Sequence, residues 1–160
     1  MLGIKIICVG KMKEPFFIEA AKEYSKRLGA YAKLEIQELP EQRLPEAPSP
    51  AEIRAALALE AEKIRGQIPK AACLIALCVE GKSFSSPALA DFLDQKMSGG
   101  ASSFCFLIGG SFGLDEALKA QAALRLSMSE MTFPHHLARV MLLEQIYRAF
   151  KINENAPYHK

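Results

Sequence analysis

Apolar residues gather in this chain in two ways, as short β-branched runs and as longer stretches that repeat every three to four positions. Residues 4–9 (Ile-Lys-Ile-Ile-Cys-Val) form a strand-like run stopped by Gly10. A helical pattern follows over 15–28, with Pro15 in its first turn. Residues 34–39 predict a second strand. The stretch 40–50 then holds four prolines and several charges, which excludes a regular element and predicts a surface connection. Ser49 fits an N-cap with Pro50 at the first helical position, opening a helix to about Gly66. Three more apolar runs, 72–79, 103–108 and 124–128, alternate with helical patterns at 86–97 and 114–123, and a last helix spans about 134–151.

This alternation predicts an α/β fold with a mostly parallel sheet and helices on both faces, built as a single domain over residues 1–160. Taken alone it suggests a flavodoxin-like strand order. Parallel sheets of this kind bind ligands outside the carboxyl ends of their strands. Four loops are therefore expected to converge there: Gly10-Lys11-Met12-Lys13, Glu80-Gly81-Lys82, Gly109-Gly110-Ser111-Phe112-Gly113 and residues 127–133.

Half of the residues are hydrophobic and 24% are charged, an ordinary globular balance that argues against a disordered or fibrous chain. A net charge of +2 is too mild to announce a nucleic-acid binder, so any RNA contact has to be argued from position. The four cysteines sit inside apolar runs without zinc-site spacing, and predict buried free thiols in a reducing cytosol. The first apolar run is too short for a signal or membrane segment. A cytoplasmic location, away from membranes, is the expectation.

Candidate chemistry concentrates in the last fifth of the chain, which holds all three histidines. The glycine loop after residues 103–108 is compatible with a tight turn before a helix or with a ligand loop that offers backbone amides. Met128, Met131 and Phe133 are compatible with core or with an apolar wall for a ring such as adenine. His135-His136 has no third ligand at a metal-site spacing, so no metal is expected; a phosphate or base contact, or simple placement at a helix start, accounts for the pair. Glu144 and Arg148 stand at i, i+4 and form at least a helix-surface ion pair. In the last helix, Val140, Leu143, Tyr147 and Phe150 make one apolar stripe, and Met141, Leu142 and Ile146 widen it beyond what one monomer is expected to cover. A second copy on the other face would account for this, giving a homodimer. Tyr158-His159-Lys160 ends the chain with a stacking ring, an imidazole and a cation.

From end to end the sequence resembles the ribosomal RNA large subunit methyltransferase H family, a minimal branch of the SPOUT methyltransferases. The segments that carry the resemblance are Val9-Gly10-Lys11, Glu23-Tyr24 with Lys26-Arg27-Leu28, Leu77-Cys78-Val79-Glu80-Gly81-Lys82, Phe106-Leu107-Ile108-Gly109-Gly110-Ser111 with Gly113, Leu126-Ser127 with Ser129 and Met131-Thr132-Phe133-Pro134-His135, Arg139, Leu143 with Gln145 and Tyr147-Arg148-Ala149-Phe150, and Tyr158-His159-Lys160. It implies a SPOUT-type trefoil-knotted fold, which topology rules would otherwise exclude. The implied activity is S-adenosylmethionine-dependent methylation of N3 of a pseudouridine in bacterial large-subunit (23S) rRNA, carried out on assembled ribosomes by a homodimer. The cofactor S-adenosyl-L-methionine would be held by Leu77, Gly109, Met128, Ser129, Glu130, Met131, Thr132 and Phe133. Arg139, Tyr158 and His159 are the expected catalytic set, the tail acting from the partner subunit. His135, Arg148, Lys160 and Lys11 are expected to bind substrate. Lys13, Lys26, Arg27 and Lys82 are further RNA contacts or ordinary solvated lysines and arginines. Two rivals remain open on sequence: a small nucleotide- or flavin-binding module, and a ribosome-associated structural factor without transferase activity.

Overall fold

The five strands form one all-parallel sheet, and their burial follows from their place in it. The computed structural model describes residues Met1–Lys160. Strand β1 (Leu2–Val9) lies between β2 (Ala32–Leu39) and β4 (Ser103–Ile108), followed by β3 (Cys73–Ser83) and β5 (Leu124–Ser127), in the order β2-β1-β4-β3-β5. Interior strands are covered on both faces, so β1 and β4 read as nearly continuous hydrophobic runs. The outer strand β2 alternates instead, exposing Lys33 and Glu35. The order departs from the flavodoxin-like arrangement because β3 stands between β4 and β5 rather than next to β1.

Helices cover both faces. Against one side lie α1 (Pro15–Leu28), α3 (Ser86–Ser98) and α5 (His135–Asn153), packed over a core that includes Ile4, Ile6, Phe104, Phe106 and Leu143. On the other, α2 (Pro50–Arg65) and α4 (Glu116–Ala120) bury Ile64 and Leu118 over Ile7, Cys105 and Leu107. The Ser49 cap is present as a full capping box: its hydroxyl accepts from the Glu52 amide while the Glu52 carboxylate accepts from the Ser49 amide.

Three expectations need correction. The helix expected over 114–123 is only five residues long, because Asp115 caps it at Leu118 and the Ala123 amide is already donated to the Leu74 carbonyl. Glu80-Gly81-Lys82 is not a loop but belongs to β3, which leaves its pairing with β5 after Leu77 and meets β5 again at Lys82. A Cβ at Gly81 would stand 2.7 Å from the Arg125 carbonyl oxygen, so only glycine lets the two backbones pass. Much of the apolar surface of α5 is also covered within the chain: Leu142, Leu143, Ile146 and Ala149 are fully buried between α1, α3 and the sheet. Leu137, Val140, Met141, Glu144 and Arg148 stay half-exposed together on a narrower face.

Candidate active site

The carboxyl ends of β3, β4 and β5 surround a cavity of about 680 Å³. Its walls are Leu77 to Glu80 from β3, the glycine loop after β4, and the segment from β5 into the first turn of α5. Gly109 fits only because it lacks a side chain: a Cβ there would collide with the Gly113 carbonyl oxygen. The Gly113 amide closes the turn on the Gly110 carbonyl at 3.1 Å, with Gly113 at a φ of 81°. The glycines therefore form the turn itself, and the helix they were expected to open starts later, at the Asp115 cap.

The second wall is fixed by its own hydroxyls. Ser127 Oγ donates to the Ser129 carbonyl at 2.9 Å, and Ser129 Oγ accepts the Met131 amide at 3.0 Å. Met128 is half-buried and also packs on the core, so both sequence readings of it hold at once. Met131 is 72% exposed and stands at the cavity rim with Val79 and Phe112. Leu77, Gly109, Met128, Ser129, Met131, Thr132 and Phe133 all line the cavity; Glu130 alone of the expected cofactor set does not. Among residues not singled out as site candidates from the sequence, Lys119 matters most. Its buried ammonium donates to Glu80 at 2.5 Å and pairs with Glu116 at 2.8 Å, pinning the β3 wall to α4. The Lys119 hydrogen bond holds the Glu80 carboxyl below its ordinary range. A 39-residue separation hides that pair from any local pattern.

Next to the cavity, α5 crosses the ends of β1 and β2 through a polar hub. His135 lines the cavity and its Nδ1 donates to the Val9 carbonyl at 3.2 Å. His136 Nδ1 donates to Glu14 at 3.3 Å, and its ring stacks on His135 at 4.3 Å. Arg139 is 3% exposed; its guanidinium donates to Glu38 at 2.6 Å and to the Gly10 carbonyl at 3.1 Å. Arg139 Nε and His136 Nε2 are buried without a partner in the chain. Burial pushes the Glu38 carboxyl up, but the Arg139 bond and the Met12 amide outweigh it and leave it below the ordinary value. In this chain Arg139 thus ties β1, β2 and α5 together rather than standing open to a phosphate.

The tail lies elsewhere. Tyr158 packs edge-on against Tyr147 at 5.0 Å, under the Arg148 guanidinium at 4.8 Å. Arg148 also pairs with Glu144 at 2.7 Å and donates to His159 Nδ1 at 3.1 Å. Arginine only donates, so Nδ1 accepts and the ring proton sits on Nε2. Burial, then the Glu144 charge, pushes the Tyr158 phenol up. Tyr158, His159, Lys160 and Lys11 line neither this cavity nor a smaller one of about 370 Å³ bounded by Tyr24, Phe84, Met141 and Glu144. Lys160 and Lys11 are exposed. Burial pushes the thiols of Cys8 and Cys105 up to about 12, so neither is a nucleophile. No three His, Cys, Asp or Glu side chains group closely enough to hold a metal ion, and no helix is long and apolar enough to cross a membrane.

A family model described as "Predicted SPOUT methyltransferase" matches residues 2–159. The chain is 46% identical to a "Ribosomal RNA large subunit methyltransferase H" of Bacillus pumilus, over 99% of this chain and 100% of the relative. Proteins of the same name from Streptococcus suis and Listeria monocytogenes are each 44% identical over the same shares. A solved structure of a probable methylase family protein from Haemophilus influenzae aligns with all of this chain and 72% of its own at a TM-score of 0.55; at 14% identity it speaks for the fold alone. Matched over nearly its whole length, with its cavity at the strand ends where the family motifs fall, this chain belongs to the SPOUT methyltransferases, in the branch of the ribosomal RNA large subunit methyltransferase H proteins.

Proposed function

We propose that this protein methylates N3 of a pseudouridine in large-subunit (23S) rRNA of assembled bacterial ribosomes, using S-adenosylmethionine, as a cytoplasmic homodimer. The observation that carries the reading is the backbone-built cavity at the ends of β3, β4 and β5 in a chain 46% identical to a named rRNA methyltransferase. The residues present suit the cofactor. Its size is right for a small organic ligand, its walls are mainly apolar, and the Gly109 cradle leaves backbone groups accessible. The amide that a phosphate would seek at Ser111 is already taken by the Glu41 carboxylate, which disfavours the flavin- or nucleotide-phosphate rival. Leu77, Gly109 and residues 128–133 would hold the nucleoside and its amino-acid arm. When bound there, S-adenosylmethionine supplies a methyl group on a sulfonium, ready for in-line displacement.

The protein's own residues then have to align the acceptor nitrogen and help it lose a proton. Arg139 holds the first turns of α5 against Gly10 and Glu38, and so sets where His135 borders the cavity. Tyr158 and His159 meet their own chain at Tyr147 and Arg148. Arg148 lies 13 residues along α5 from His135, about 20 Å at 1.5 Å per residue. One chain's tail therefore stands far from its own cavity. A twofold partner docked antiparallel on the exposed faces of α1 and α5 would bring its tail to this cavity, with the Tyr158 hydroxyl and the His159 Nε2–H as hydrogen-bond donors to the uracil oxygens, which carry the charge left when the N3 proton departs to solvent. Phe16, 66% exposed, and the half-exposed Val140 and Met141 supply apolar surface for that contact. The trefoil knot belongs to the same proposal. It is the fold that the family resemblance implies, and the all-parallel sheet with the order β2-β1-β4-β3-β5 is consistent with it.

Incubating the protein with tritiated S-adenosylmethionine and either 70S ribosomes or naked rRNA, followed by nucleoside analysis, tests the proposal. Labelled 3-methylpseudouridine from ribosomes, and far less from naked rRNA, is expected. No label in either substrate would sink the enzyme reading.

A further inference from the structure

The glycine loop that walls the cavity is held by a carboxylate the cavity does not contain. Glu41 comes two residues after β2, and its Oε1 accepts the Ser111 amide at 2.8 Å. The same oxygen would stand 2.7 Å from a Cβ at Gly110, so the carboxylate is seated directly on the loop backbone. One residue further on, the Gln42 amide donates to Glu60 Oε2 at 2.7 Å. Glu60 is 6% exposed on α2, although nothing in methyl transfer needs a buried carboxylate there. Burial pushes its carboxyl up and the nearby charge of Glu41 adds to this, while the Gln42 amide pulls the other way. An unpaired buried charge is costly, so the Gln42 bond is what makes the position tolerable.

The loop needs such support. Its glycines give it a wide choice of backbone conformations, Phe112 at its tip is 47% exposed, and the one backbone bond closing it is that of Gly113 to Gly110. We propose that Glu41 and Glu60 form a latch that positions the glycine loop for the methyl donor. Glu60 fixes the backbone at Gln42, which sets Glu41 against Gly110 and Ser111. Both are positioning residues that touch neither donor nor acceptor, and the role assigned to them rests on the reading of the cavity as the S-adenosylmethionine site. The gain is pre-organisation: the donor meets a loop already in its bound shape and loses less freedom on binding.

Glu41 is exposed, so its variants fold and make the test direct. In Glu41→Ala, hydrogen exchange at the Ser111 amide of the free protein should speed up by about tenfold or more, and the dissociation constant for S-adenosylmethionine should rise about tenfold. The kcat at saturating donor should stay within about twofold, because the loss falls on binding. Glu41→Gln keeps an acceptor oxygen and should restore both quantities to near the parent values. Glu60→Met should speed Ser111 exchange without touching that residue. Unchanged Ser111 exchange in Glu41→Ala, or equal damage from Ala and Gln, would overturn the latch. If the parent protein fails to bind S-adenosylmethionine, the reading of the cavity falls, and Ser111 exchange still decides the latch.

Discussion

The cavity and the tail-bearing face of α5 are built on opposite plans. Around the cavity, close backbone packing does the shaping: Gly109 lies against Gly113, Gly81 against Arg125, and Ser127 and Ser129 lock their own turn. On the α5 face the geometry comes from long side chains, with Arg148 shared among Glu144, His159 and the Tyr158 ring. Backbone geometry of the first kind tolerates almost no substitution but needs nothing from outside the chain. Side-chain clusters of the second kind hold their shape weakly at a surface and gain precision when something covers them. In the proposed dimer the cofactor cradle would therefore be complete in one chain, while the substrate-handling cluster on the half-exposed helix would be finished by a partner.

Removing the tail gives the largest expected effect on this contrast. A chain ending at Ala156 should lose about 10²- to 10⁴-fold in kcat and keep its affinity for S-adenosylmethionine. Co-expressing it with a chain whose cavity is disabled should recover activity that neither homodimer has. A silent mixture would show that the tail works only on its own chain, and would break the division of labour. The second effect is on the cradle. Gly109→Ala drives a Cβ into the Gly113 carbonyl and should cost about 3 kcal/mol in stability, together with measurable donor binding by calorimetry. Normal binding by this variant would mean that the turn is not the cradle.

The smallest effect concerns the hub that joins the two regions. Arg139→Met should destabilise the fold by about 2 kcal/mol, less than a fully enclosed pair because Glu38 is partly solvated. Glu38 is held below its ordinary value of 4.5 in the folded chain. Its contribution is therefore complete above that pH and is lost as pH falls through the lower folded-state value. Denaturant midpoints of the two proteins should thus differ most near neutral pH and converge in acid. A constant gap across that range would assign the loss to packing instead of charge.

Much of this was legible in the chain itself. The runs at 4–9 and 103–108 announced buried parallel strands, Ser49-Pro50 announced the start of α2, and the motifs holding Leu77 to Glu80, Gly109 to Gly113 and most of Met128 to His135 marked the cavity walls that the fold brings together. Strand order was not legible, since local patterns say which residues form strands and not which strand lies beside which. Nor was the burial of α5, most of whose apolar surface is covered by α1, α3 and the sheet within the chain.

Sequence alone determined most of the elements, the glycine positions and the family, because each rests on neighbouring residues or on a pattern spread along the chain. Only the tertiary structure decided that Arg139 answers Glu38 across 101 residues, Lys119 answers Glu80 across 39, and Ser111 answers Glu41 across 70. The reason is physical: charge pairs and amide contacts between distant segments depend on where the backbone has been folded to, and no period in the sequence encodes that distance.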